Sequence, residues 1–257
     1  MRRLASALLS LAACATARGP AAPAEEEIRF AEPAVVEATP LDLELIGKND
    51  EELFAVGTAA LAAGDHARAA AALGRLSDLF PGSPHRAEAL HGAGLAHERL
   101  SQWRLALERF RALERGYPGP AAGEATFRVA ECLWHLGELA DARAVLDGLA
   151  ARQDLAPVDR TRALTWRGVV ELDQGDAEAA ERSLRLALRA WSEIGDRERL
   201  DDSLPAQAQY HLGEVYRRHF QAVRLDPSRD GPDQLEKALE LKAELLLSAQ
   251  GHYLRAI

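Results

Sequence analysis

Residues 53–81, LFAVGTAALAAGDHARAAAALGRLSDLFP, hold one complete unit of a pattern that the chain goes on to repeat. Leu53, Val56 and Ala60 set apolar side chains on one helix face, because steps of three and four residues match the helical period. Gly57 lies on that face, where the absence of a Cβ lets a second helix approach closely. Gly64-Asp65 marks the stop, since glycine takes left-handed backbone angles without a Cβ clash. Ala69 keeps the second helix tight against the first, and Leu73 packs there as a large apolar residue. Pro81 ends that helix by removing a donor and clashing one turn back. The unit reads as helix, turn, helix.

The same order returns as Leu90, Ala93-Gly94, His97, a turn at Ser101-Gln102, Ala106, Phe110 and Pro118. A third copy runs Thr126, Val129-Ala130, Leu133, Gly137-Glu138, Ala142 and Leu146, with Asp154 in the proline's place. A fourth runs Leu164, Arg167-Gly168, Glu171, Gly175-Asp176, Ala180 and Leu184, closing at Ser192. A fifth opens with Leu212-Gly213 and Tyr216. The small residues Gly57, Gly94, Ala130, Gly168 and Gly213 stand 37, 36, 38 and 45 apart, a period that belongs to stacked repeats. After Tyr216 the pattern weakens. The helix should run to about Arg224, breaks fall at Asp226-Pro227 and Gly231-Pro232, and Asp233 is placed to cap a last helix reaching Ile257. That helix carries Leu245, Leu246, Leu247, Tyr253, Leu254 and Ile257, where a repeat stack needs a polar cap. Its face meets a partner or a second copy, or the chain runs on.

This order of residues resembles the tetratricopeptide repeat. The resemblance implies an all-α, superhelical solenoid of about five helix-turn-helix repeats, near 50–83, 87–120, 123–156, 161–194 and 206–257, in a domain spanning 49–257. In that family the first helix of each hairpin lines the concave side, which holds peptides or partner helices. Carried over, the groove positions are Phe54, Thr58 and Leu61; His91, Leu95 and Glu98; Phe127, Glu131 and Trp134; Thr165, Val169 and Leu172; and Tyr210, Glu214 and Arg217. An apolar and aromatic stripe with glutamates suits an amphipathic helix or strand carrying Arg or Lys. Family members that clamp a C-terminal carboxylate use Lys and Asn on this face. Here the lysines are Lys48, Lys237 and Lys242, and no asparagine follows Asn49, so that mode is not expected.

Outward from the repeats, residues 1–13 read as a signal peptide: Arg2 and Arg3, then an apolar run from Leu4 to Ala13 too short to span a bilayer. Leu11-Ala12-Ala13-Cys14 resembles the lipobox of bacterial lipoproteins, which implies cleavage before Cys14 and acylation of that cysteine. Two or three acyl chains hold a protein on a membrane where one does not. Ala15 stands where an aspartate would imply inner-membrane retention, so the resemblance favours the periplasmic face of the outer membrane. Residues 14–48 read as a flexible tether, broken by Pro20, Pro23, Pro33 and Pro40 and acidic at Glu25 to Glu27.

Without the leader the net charge of −9 becomes about −11, which excludes nucleic acid as a partner by charge. The sequence contains no Gly-x-Ser-x-Gly elbow, phosphate-binding glycine loop or His-Glu-x-x-His, so no enzyme, cofactor or metal is expected. With Cys14 acylated, Cys132 has no partner in the chain and reads as a buried small apolar residue, an intermolecular disulfide being the sharper alternative. The whole resembles tetratricopeptide lipoproteins of the bacterial envelope: those of outer-membrane β-barrel assembly, of Tol–Pal coordination, and the pilotins of pilus secretins. The function this implies is a membrane-anchored scaffold that binds an envelope protein or peptide segment. The alternatives are a structural subunit of an envelope machine for outer-membrane assembly, secretion, pili or motility, self-associating through its final helix, and a regulator of a cell-wall enzyme.

Overall fold

The computed structural model describes residues 40–118, 120–195 and 202–257, and among them every regular element is an α-helix. The leader, Cys14 and most of the expected tether lie outside these residues. The helices are α1 (Pro40–Leu45), α2 (Asp50–Ala63), α3 (His66–Leu79), α4 (Arg86–Arg99), α5 (Trp103–Gly116), α6 (Pro120–His135), α7 (Leu139–Ala151), α8 (Pro157–Asp173), α9 (Ala177–Ser192), α10 (Ser203–Ala222) and α11 (Pro232–Arg255). From α2 onward they pair as five hairpins, and the second helix of each hairpin packs on the first helix of the next.

The hairpins form for the reasons the sequence supplies. Gly64, Gly137 and Gly175 adopt φ of +77°, +75° and +86° at the turns, while Ser101 takes the same left-handed turn at +56° without glycine's freedom. Asp65 and Asp176 each accept a backbone N–H from the start of the following helix. Phe80 and Tyr117, the residues before Pro81 and Pro118, leave the helical region for ψ of 67° and 83°, which ends α3 and α5.

In four of the five hairpins a glycine faces one large side chain. A Cβ at Gly94 would lie 2.6 Å from the ring of Phe110, and Gly57 and Gly168 face Leu73 and Leu184 in the same way. In the fifth hairpin Gly213 faces Tyr253, and Ala249 is the buried residue of α11. Ala249 and Tyr253 are thus the alanine and large residue of this hairpin, four apart as Ala180 and Leu184 are, but displaced along the chain. Lys242 donates to the Phe220 and Val223 carbonyls, so α11 residues before 242 extend past the end of α10. The cap of α11 is Gly231 with Pro232 at its first turn, two residues earlier than the expected Asp233.

The folded part also begins earlier than residue 49. Residues 40–45, expected in the tether, form α1, whose Leu45 is 1% exposed and packs with Leu53, Leu73 and Leu76. Glu44 pairs with Arg68 of α3. An isolated apolar turn inside a proline-rich run carries too little periodicity to announce itself.

Candidate functional site

The wall made by the first helices of the hairpins (α2, α4, α6, α8 and α10) gathers the expected groove residues in three zones. In the first, Phe54, Thr58 and Leu61 of α2 and His91 and Leu95 of α4 line one cavity of about 470 Å³, with Leu73, Gly92 and Leu113 behind them and Glu88 and Glu124 among its lining. The residues three before, one after and four after the small residue share a face of a helix, which is why this set converges. Phe54 stacks on His85 at 4.2 Å, and Thr58 donates to the Phe54 carbonyl at 2.8 Å. Burial lowers the pKa of His91, so it faces the cavity as a neutral imidazole at pH 7.

The second zone is charged. Arg128 of α6 reaches Glu124 at 3.1 Å, Glu131 at 3.3 Å and Glu98 of α4 at 3.4 Å. Arg162 of α8 reaches Glu124 at 2.7 Å, so one carboxylate is held by two guanidiniums, and its pKa falls below the ordinary value. Glu98 has the opposite fate. Burial raises its carboxyl to about 7, with Arg128 opposing and Glu131 adding to the rise. Cys132, fully buried, points its thiol at Glu98 from 3.9 Å, and burial first, then the carboxylates, push it up to about 12. A thiol held that high is no nucleophile.

In the third zone, Trp134 meets Trp166 of α8 edge to face at 5.5 Å and donates from Nε1 to Asp173 at 2.7 Å. At the far end Tyr210 is 49% exposed beside Tyr253, whose hydroxyl donates to Glu214 at 2.5 Å, and Glu214 also pairs with Arg217.

Not every expected groove residue offers a surface. Phe127 is 5% exposed: it belongs to the apolar core around α5, α6 and α7, and the Arg162 guanidinium lies across its ring at 4.4 Å. Val169 is 8% exposed, and Thr165 and Leu172 are buried with it, closed in where α8 and α10 pack together. The wall offers an apolar cavity over α2 and α4, with Tyr210 exposed at the far end.

Arg128, Trp166, Glu124 and Arg162, which tie α6 to α4 and α8, lie outside the groove positions that the repeat implies. A signal for them existed. Arg128 and Trp166 stand two before their small residues Ala130 and Gly168, and Glu124 and Arg162 stand six before, on the flank that faces the neighbouring first helix. Glu171 is a second such case: 3% exposed, it accepts from Ser183 at 2.5 Å and pairs with Arg143 at 3.1 Å, joining α7, α8 and α9. Among the described residues no group of three or more His, Cys, Asp or Glu side chains could hold a metal ion, and no helix is long and apolar enough to cross a membrane.

The tetratricopeptide repeat family matches residues 54–103 and 91–157. The fold is a tetratricopeptide solenoid. MamA from Desulfovibrio magneticus RS-1 is 18% identical over 80% of this chain and 97% of its own, with a TM-score of 0.52. An array of nearly identical TPR-like repeats from Podosopora anserina is 13% identical over 78% of this chain and 96% of its own, again at 0.52. No curated protein sequence matches the chain.

Proposed function

We propose that this protein is a non-catalytic binding scaffold, anchored by an acylated Cys14 to the periplasmic face of a bacterial outer membrane, which takes a basic amphipathic segment of another envelope protein along its first-helix wall. The observation that carries the reading is the 470 Å³ cavity framed by Phe54, Leu61, His91 and Leu95, set beside the carboxylates of Glu98, Glu124 and Glu131. That volume falls in the range of ligand pockets, about 300–1,000 Å³, and its lining is mainly apolar with a few polar groups to fix orientation. A helix laying two apolar side chains into it would bring a residue one or two turns on to the carboxylates. Arg128 and Arg162 already pair with Glu98, Glu124 and Glu131, so an arginine or lysine there meets the one carboxylate charge in excess, present once Glu98 ionises above about pH 7.

Two tests separate the parts of this reading. Amphipathic peptides with one apolar face and either lysine or glutamate beside it should bind unequally, the lysine peptide at least tenfold tighter by fluorescence anisotropy. Leu61→Asp with Leu95→Asp should remove that binding, whereas equal affinity for both peptides would refute the charge assignment. For the anchor, Cys14→Ser should move the protein from the membrane pellet to the soluble periplasmic fraction; unchanged sedimentation would count against acylation.

A further inference from the structure

The outer face of α11 has the geometry of a self-pairing surface. Each earlier second helix (α3, α5, α7 and α9) is covered by the first helix of the next hairpin, whereas α11 packs chiefly on α10. Its inner stripe of Leu235, Ala238, Lys242, Leu245, Ala249, His252 and Ala256 is turned inward, at steps of three and four. Beside that stripe, at steps of seven, one and seven residues, runs a second set of leucines that nothing among the described residues covers. Leu239, Leu246, Leu247 and Leu254 are 55%, 55%, 67% and 65% exposed. Large apolar side chains aligned over several turns mark an interaction surface, where single exposed leucines would not.

The order of these residues selects the occupant. Leu239 lies seven before Leu246, and Leu254 lies seven after Leu247, so the stripe reads the same in both directions about its centre. In a two-fold interface contacts are reciprocal, and with this order each leucine can meet a leucine of the other copy. Two antiparallel α11 helices crossing at Leu246-Leu247 would set Leu239 against Leu254 at both ends. The flanking charges fit the same arrangement. Glu236 and Glu240 border the stripe in the first half of the helix and Arg255 in the second, all exposed, and antiparallel pairing brings Arg255 of one copy within a turn of Glu236 and Glu240 of the other.

We infer that α11 is a homodimerisation helix, pairing antiparallel with the α11 of a second copy of this chain and joining two solenoids end to end. The helix is 24 residues, or about 36 Å at 1.5 Å per residue, so the contact is at the small end of stable interfaces and the dimer is concentration-dependent. The groove and this surface are separate, and binding of the basic peptide reports on the first alone.

Sedimentation velocity on the full chain carrying Cys14→Ser, across a micromolar concentration series, should show a monomer–dimer equilibrium. Leu246→Glu with Leu247→Glu should weaken it at least tenfold while leaving helicity and the melting midpoint close to those of the parent. Should that double variant fold poorly, the charges alone give the answer. Arg255→Glu in one chain and Glu236→Arg with Glu240→Arg in another should each lower self-association, and mixing the two should restore it as a heterodimer. A parent that stays monomeric throughout, a dimer indifferent to the leucine changes, or a charge pair that fails to rescue would each overturn the inference.

Discussion

A Cβ on Gly213 would lie 2.5 Å from the ring of Tyr253, a residue 40 positions further along the chain. The absent side chain is what lets α11 close on α10. Gly213→Ala forces ring or helix to move, and overpacking of this kind costs about 1–3 kcal/mol. For a domain of this size, thermal melting should fall by roughly 2–4 °C per kcal/mol. An unchanged melting midpoint would mean that α11 docks by other means.

Ser101 should show the opposite sign. It holds φ of +56° at the one hairpin turn where its equivalents Gly64, Gly137 and Gly175 are glycine. A left-handed residue with a Cβ costs about 1–2 kcal/mol, and glycine's greater freedom in the unfolded chain returns part of that. Ser101→Gly should therefore stabilise by about 0.5–1 kcal/mol, and Gly137→Ala should destabilise. Denaturant midpoints moving the other way would reject the turn assignment.

Glu98 gives a pH dependence with a defined sign. Its folded pKa is about 7 against an ordinary 4.5, so between those values the folded chain holds a proton that the unfolded chain has released. Folded protein binds more protons there, and stability falls as pH rises through the window. Glu98→Gln should flatten that slope and raise stability at pH 8, by up to about 3 kcal/mol. Denaturant titrations at a series of pH values measure it; a slope unaltered in Glu98→Gln would place the titrating group elsewhere.

Cys132 should be silent. Fully buried, with its thiol pushed up to about 12, it should react with thiol reagents only after unfolding and form no disulfide between copies. Rapid labelling of folded Cys14→Ser protein at pH 8 would contradict this.

The repeats were legible because glycine, alanine and proline act through local sterics: Gly64, Ala69 and Pro81 specify a stop, a close approach and an end wherever they occur. The fifth hairpin was half legible. Gly213 announced the first helix, but Ala249 and Tyr253 fell outside any fixed period because a loop and an overhanging stretch of helix separate them from it. The apolar part of the groove followed from position in the repeat, and Phe54, Leu61, His91 and Leu95 do meet in one cavity. The closure of Phe127 did not follow, since it rests on the apolar core around α5, α6 and α7 and on Arg162, 35 residues away, lying over the ring while pairing with Glu124. Long polar side chains bridging neighbouring repeats obey no short-range rule, and they decide which part of the wall stays open.

The most direct test of the binding wall is site-specific photocrosslinking of the lysine-bearing amphipathic peptide. A photoreactive residue at Leu95, within the cavity, should capture the peptide, and the same residue at Arg75 of α3, outside it, should not. Equal capture at the two positions, or capture at Arg75 alone, would contradict a docking surface built from the first helices.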